Sequence, residues 1–388
     1  MPRPLRVAVM LDLQWPYKRH AGVLTGVLQY SQKQNWEIVV DEFVDDTLTH
    51  GSADTPPYDG IIARATKKLA LRANKLHIPL VNVWLSSPAW KIIPGVFSDY
   101  AAIGRMRAEH LLARGFRNFA ALTCLEDRAL DLEIASFSKA IEQAGFHCHV
   151  QKIPNNPSTS VSLWRKTQQA ITEWMEGWKL PIGVFVGAES DGRIVSQMCR
   201  NRGWPVPEQV AIITGHNEET ICAHLRPTLT SIEVGFEQIG FTAARVLDQM
   251  MGGKAQPNEP ILVPPQGLVV RESTDFFAVD DPLIAKSLQY ISTKCNQDIT
   301  PDDVANSVTM GTRTLQRRFI KYLNRPIATE IRRVRIERAK RELAYTRKPL
   351  KEVARDVGFG TAMRMYEIFR REVGLTPSQF RKERQANK

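Results

Sequence analysis

Two short segments near the C-terminus carry side chains suited to base edges of nucleic acid. Over residues 313–323, Leu315 and Phe319 stand four apart on one helix face, while Arg313, Gln316 and Arg317 take the opposite face. Arg can grip guanine, and Gln adenine, through two hydrogen bonds each. The pattern occurs twice. Val304, Ala305 and Val308 return 49 residues later as Val353, Ala354 and Val357, and Leu315 and Phe319 return 50 later as Met365 and Phe369. One residue has entered the turn between. In the second copy Thr361 is the candidate cap, Met365 and Phe369 point inward and Arg364 points out. Thr312, heading the first segment, and Thr361, Ala362, Met363 and Arg364, heading the second, complete the candidate DNA contacts.

Such residues need elements to hold them. Each copy reads as a bracing helix, a tight turn and a second helix, which is helix-turn-helix logic. Thr300-Pro301-Asp302-Asp303 gives a hydroxyl cap, a Pro at the first helical position and acids against the dipole. Met310-Gly311-Thr312 and Gly358-Phe359-Gly360-Thr361 make the turns. Between the copies, residues 327–345 carry Ile331, Val334, Ala339 and Leu343 as a rough apolar stripe; this helix, roughly 28 Å long, separates two reading heads by about one DNA turn. Arg332, Arg333, Arg335, Arg338 and Arg341 make it basic. Solvation accounts for most of them, and Arg333 is assigned to a phosphate. From 280 to 388 there are 24 Lys/Arg against 13 Asp/Glu, a balance of +11, while the rest of the chain has 28 of each. An exposed Arg face can merely keep a helix wet. Two copies in the one basic region point instead to double-stranded operator DNA.

Residues 283–384 resemble the AraC/XylS family of bacterial transcription regulators. The likeness rests on Leu315-Gln316-Arg317-Arg318-Phe319, Val353-Ala354-Arg355-Asp356-Val357-Gly358-Phe359 and Gly374-Leu375-Thr376-Pro377-Ser378-Gln379-Phe380-Arg381. Asn324 stands where Gly is usual, Met365 replaces an aromatic or Leu, and Glu367 replaces a basic residue. The resemblance implies a homodimer and, for an activator, a contact with RNA polymerase.

The neutral part alternates strand-like and helical runs. Arg6–Leu11, Glu37–Val40, 58–63, Pro79–Val83, 118–123, 182–187 and 210–215 read as strands, with helices such as 22–32 and 67–75 between them. That rhythm over about 270 residues predicts open parallel sheets in two lobes, with a ligand between them at the carboxyl ends of the strands. Ser98-Asp99-Tyr100 with Arg114-Gly115-Phe116-Arg117-Asn118, Pro205 to Ile213, Pro227 to Ile232 and Leu262-Val263-Pro264-Pro265 resemble the LacI-type periplasmic-binding-protein-like sugar sensors. That likeness implies crossings between lobes near 115–118, 230–235 and 262–268. A sensor of this type ahead of an AraC-type tail resembles pentose-operon activators, which implies a small neutral sugar as effector, xylose first.

Candidate sugar contacts follow strands: Gln14, Trp15, Tyr17, Arg19 and His20 in the first loop, then Arg64, Asp99, Asp191, His216 and Asn217. Planar donors and acceptors bind hydroxyls, and an aromatic face covers the sugar's apolar side. Asp191 and Arg64 lead, although surface solvation or helix capping would equally explain either. His216 replaces an acid common in relatives. Trp84 and Trp90 fit either the cleft or core packing.

The expected fold is therefore an α/β two-lobed sensor over 1–275, a linker over 276–282 and an all-α domain over 283–388, with helix-turn-helix units at 302–323 and 350–373. No apolar run reaches 18 residues, which argues against a membrane span. Five scattered cysteines without a C-x-x-C suggest reduced thiols and a cytoplasmic protein. No phosphate loop, nucleophile elbow or zinc motif is present, so no cofactor or metal is expected. A sugar-processing enzyme with a nucleic-acid-binding tail is the alternative; it needs a catalytic pair that the spacing does not offer.

Overall fold

The computed structural model describes residues 3–14, 18–50, 55–124, 127–154, 159–279, 281–346 and 348–386. The body opens with β1 (Leu5–Met10), α1 (Lys18–Ser31), β2 (Trp36–Val40), α2 (Val44–Thr47), β3 (Gly60–Ala63), α3 (Lys67–Lys75), β4 (Leu80–Asn82) and β5 (Val96–Ser98). It continues through α4 (Tyr100–Ala113), β6 (Asn118–Cys124), α5 (Arg128–Gln143), β7 (Cys148–Ile153), α6 (Val161–Glu176), β8 (Ile182–Val186) and α7 (Glu189–Asn201). It closes with β9 (Val210–Thr214), α8 (Glu219–Cys222), β10 (Thr230–Glu233), α9 (Phe236–Met251), β11 (Ile261–Val263) and β12 (Gly267–Val269).

Two sheets define the two lobes. The first runs β2-β1-β3-β4, all parallel, and the pair β5-β11 extends it through a bridge between Asn82 and Gly95. The second runs β12-β10-β9-β8-β6-β7 and is parallel except for the β12 edge. Helices cover both faces of each sheet, so the central strands are almost wholly apolar and buried at every residue: Gly60–Ala63, Ile182–Val186 and Val210–Thr214. Glycines let helices meet backbone to backbone. A Cβ at Gly26 of α1 would sit 1.8 Å from the Glu237 carbonyl oxygen of α9, and one at Gly104 of α4 would sit 2.1 Å from that of Glu133 on α5.

The chain changes lobe along α4 and again at 233–236 and 263–267. The first crossing thus falls inside the helix that precedes the expected 115–118. Tyr100 and Ile103, at the start of α4, still fill the first lobe's core, while Ala108 and Leu111 already fill the second's. The helix itself makes the passage.

The tail is helical: α10 (Pro282–Lys294), α11 (Pro301–Ser307), α12 (Thr312–Leu323), α13 (Ile327–Tyr345), α14 (Leu350–Asp356), α15 (Ala362–Val373) and α16 (Pro377–Ala386). Thr300 and Asp303 form a reciprocal capping box on α11. Each reading helix anchors a separate core, through Leu315 and Phe319 or through Met365 and Phe369. The helix α10, capped by Asp281, binds the two halves. Arg335 of α13 donates to the Cys295 and Gln297 carbonyls at 2.8 and 2.7 Å, and Arg338 to that of Ser292 at 2.6 Å, satisfying the end of α10. Gly358 fits there because a Cβ would lie 2.0 Å from the Cys295 oxygen.

Candidate functional site: an interlobe cleft and two reading helices

A cleft between the lobes is lined by Arg19, His20, Arg64, Trp84, Tyr100 and Asp127, with Phe236 and Ala129 among its apolar walls. The Arg64 guanidinium lies over the Trp84 ring at 4.7 Å and 3.9 Å from the Asp12 carboxylate. Arg19 lies over Phe236 at 5.7 Å. Burial depresses the His20 imidazole below its ordinary range, even though its Nδ1 meets the Asp12 carbonyl. Planar cations over aromatic faces suit a hydroxylated ligand.

Asp191 is not among the residues that line the cleft; it opens α7 and is buried, and it forms no hydrogen bond or ion pair among the described residues. Burial, with Glu189 adding to it, pushes its carboxyl up to about 6. Asp191 and Asp127 both bear on the Cys124 thiol, which burial first and these acids second push up to about 12. A largely buried carboxylate lacking a protein partner is poised to accept hydroxyl donors.

His216 belongs to a buried network rather than to the cleft wall. Its Nε2 lies 2.8 Å from Glu133, its Nδ1 3.4 Å from Arg19, and its backbone amide donates to Glu189 at 2.5 Å. Glu133 and Arg107 are both fully buried and paired, and Arg107 also donates to the Gly215 carbonyl at 2.7 Å. The sequence drew attention to His216 but not to Glu133 or Arg107. Glu133 sits in the apolar register of α5 beside Leu130, Ile134 and Phe137, and that misfit was the available signal.

Two expected contacts have structural work instead. Asp99 caps α4, accepting from the Ala102 amide at 2.8 Å. Asn217, at a positive φ of 60°, holds Arg271, Ser231 and Glu233 together at 2.6, 3.1 and 2.8 Å. Trp90 packs on the first core beneath Arg128, 3.6 Å from its ring. Trp15 and Tyr17 lie outside the described residues.

Body and tail meet along an extended seam. Phe276 and Ala278 pack on the second lobe's core, while Phe277 and Val279 enter the tail's. Arg114, which ends α4, accepts from the Ala278 amide at 2.7 Å and lays its guanidinium 5.2 Å over Phe277. His110 of α4 contacts Thr274 at 2.9 Å. Residues 276–279 of the expected linker 276–282 are thus packed between the two domains, and its last residue, Pro282, is already helical.

On the tail, Arg313 and Arg317 stand exposed on α12, and neither has an ion pair or hydrogen bond among the described residues. Gln316 is half-buried, and its side-chain oxygen accepts from the Ile327 amide at 3.4 Å, so it faces α13 rather than the exposed surface. Thr312 donates to Asp302 at 2.5 Å. On α15, Thr361 caps the helix by accepting from the Arg364 amide at 3.2 Å; Met363 and Arg364 are exposed and Ala362 is half-buried. Arg333 does not stand free for a phosphate. It grips the fully buried Glu330 with two hydrogen bonds, at 3.0 and 2.7 Å, opposite Arg325. Arg333→Ala should therefore lower the tail's unfolding free energy by about 1–3 kcal/mol. DNA affinity of the folded protein should stay within twofold, as checked by denaturation beside mobility shift; loss of affinity with unchanged stability would restore the phosphate contact.

A periplasmic binding protein-like domain model matches residues 108–274, and a helix-turn-helix domain model matches 304–383. The chain is a transcription regulator, built as a two-lobed α/β sensor followed by a double helix-turn-helix domain. It is homologous from end to end with xylose operon regulatory proteins: 27% identical to that of Haemophilus influenzae over 97% of this chain and 98% of the relative, and 25% identical to that of Escherichia coli over 97% and 96%. The solved structure of a xylose-binding transcription activator shares the fold, with a TM-score of 0.60 at 22% identity over 98% of this chain and 99% of its own.

Proposed function

We propose that this chain is a xylose-responsive activator of pentose-utilisation genes, acting in the cytoplasm as a homodimer. The observation that carries the sugar site is the interlobe cleft, where Asp127 and Arg19 line the same space as the Arg64–Trp84 pair; Asp191, buried and without a partner among the described residues, acts with Asp127 on Cys124. Sugar hydroxyls donate to Asp191 and accept from Arg64 and Arg19, with Trp84 as the aromatic wall. Asp127 and Tyr100 join the set.

Closure on the sugar favours one arrangement of the lobes by as much as the sugar prefers it. The helix α4 carries that change. Its Arg107 is tied through Glu133 to His216 beside the cleft, its Gly104 is locked against α5, and its end holds the seam to the tail. The tails of a dimer then present α12 and α15 to operator DNA, and the bound activator contacts RNA polymerase.

Calorimetry against xylose, arabinose, ribose and glucose tests the effector. No heat from any of them with folded protein rejects the sugar sensor, and a preference for another sugar replaces xylose. On the DNA side, Arg317→Ala should cost about 1–3 kcal/mol on the right operator and relax preference at one or two positions. Uniform loss over all sequences would make Arg317 a phosphate contact.

A further inference from the structure

A second cavity, of about 370 Å³, opens where the body meets the tail, apart from the interlobe cleft. Its volume is that of a small-molecule site. Phe116 from the body and Leu323 from the tail contribute apolar wall, while Arg117, Lys321 and Arg325 supply cations; no carboxylate lines it among the described residues. Glu330 occupies Arg325. Arg117 and Lys321 make no ion pair among the described residues and lie only over the rings of Phe146 and Tyr322, at 6.0 and 5.1 Å. An anion is the missing partner. The reading helix α12 also ends here, at Leu323, whereas at the end of α4 the Leu111, Leu112 and Arg114 carbonyls already accept from the amides of Arg114, Gly115 and Ala278. Helix ends present carbonyls, which attract hydroxyl donors and disfavour a bare anion.

Inorganic phosphate answers the cations but not the carbonyls, and a neutral sugar answers the carbonyls alone. We propose that this seam cavity binds a small phosphorylated sugar, with its phosphate on Arg117 and Lys321 and its hydroxyls toward the end of α12. Its occupant touches both α4 and the reading helix α12, so it reports a second metabolite by biasing how the tail sits on the sensor.

Titration calorimetry of the full chain with ribose 5-phosphate, ribose and inorganic phosphate tests this. Ribose 5-phosphate should bind at least tenfold more tightly than inorganic phosphate, and equally to Asp191→Asn, whose change lies outside the seam cavity. The Arg117→Gln/Lys321→Gln variant should bind it at least tenfold more weakly while melting normally and keeping its response to neutral sugar. Absence of binding overturns the proposal. So do equal affinity for inorganic phosphate, loss in Asp191→Asn, and full retention in the Arg117→Gln/Lys321→Gln variant.

Discussion

Glu133→Ala should destabilise the body by about 3–5 kcal/mol, because it strands the fully buried guanidinium of Arg107. Urea unfolding measures this, and a loss below about 1 kcal/mol would mean that water or another acceptor reaches Arg107. The double change Arg107→Met/Glu133→Leu should recover most of the loss, since both charges then leave together. Burial alone would raise the Glu133 carboxyl, but Arg107 and then His216 outweigh it and hold the group below its ordinary value of 4.5. The sign follows from linkage. A depressed folded value gives stability that is complete above 4.5 and is lost as pH falls through the lower folded value. The wild type should therefore weaken on acidification below about pH 4.5 more steeply than the double variant.

Asp191→Asn should do the reverse for stability while harming sugar binding. The carboxyl is pushed from 3.8 up to about 6, so the folded protein holds its proton more tightly than the unfolded chain. Folding stability then declines as pH rises from about 4 to 6 and carries the whole penalty above that, on the order of 3 kcal/mol. Asn is neutral throughout. The variant should be more stable than wild type above pH 6, by up to that amount, and should lack the slope below it. Its sugar affinity should fall roughly 10- to 100-fold, since a hydrogen bond to a charged acceptor contributes about 1.5–3 kcal/mol. Thermal melts at pH 5 and 7.5 beside calorimetry decide the matter. A variant no more stable than wild type, with undiminished affinity, would remove Asp191 from the site.

The fold was legible because its patterns are periodic. Strand runs buried on both faces, and two copies of an apolar pair four residues apart, survive any detail of packing. The site was less so, because a side chain's role depends on what another element brings to it. Gln316 looks exposed beside Arg317, but α13 begins against it. Arg333, Arg335 and Arg338 look like a solvated basic stripe, with Arg333 on a phosphate. One neutralises Glu330 and the other two satisfy the end of α10, neither of which local spacing reveals. Asp99 and Asn217 sit at strand ends as expected, yet a helix cap and an Arg271 network absorb them. Asp127 and Tyr100 were missed although they too follow strands. The early first crossing has a similar cause: α4 serves both cores, and an amphipathic pattern does not say which core each turn meets.

The alternation along 276–279 sets a rule for how such a protein can be assembled by recombination. Even-numbered residues there face one domain and odd-numbered residues the other. Inserting or deleting one residue exchanges the two sets, sending Phe277 toward the sensor and its neighbours toward the tail. A two-residue change keeps every side chain on its own side. Length in this joint is thus counted in pairs, and a tail exchanged from another regulator keeps the junction intact only when its parity matches.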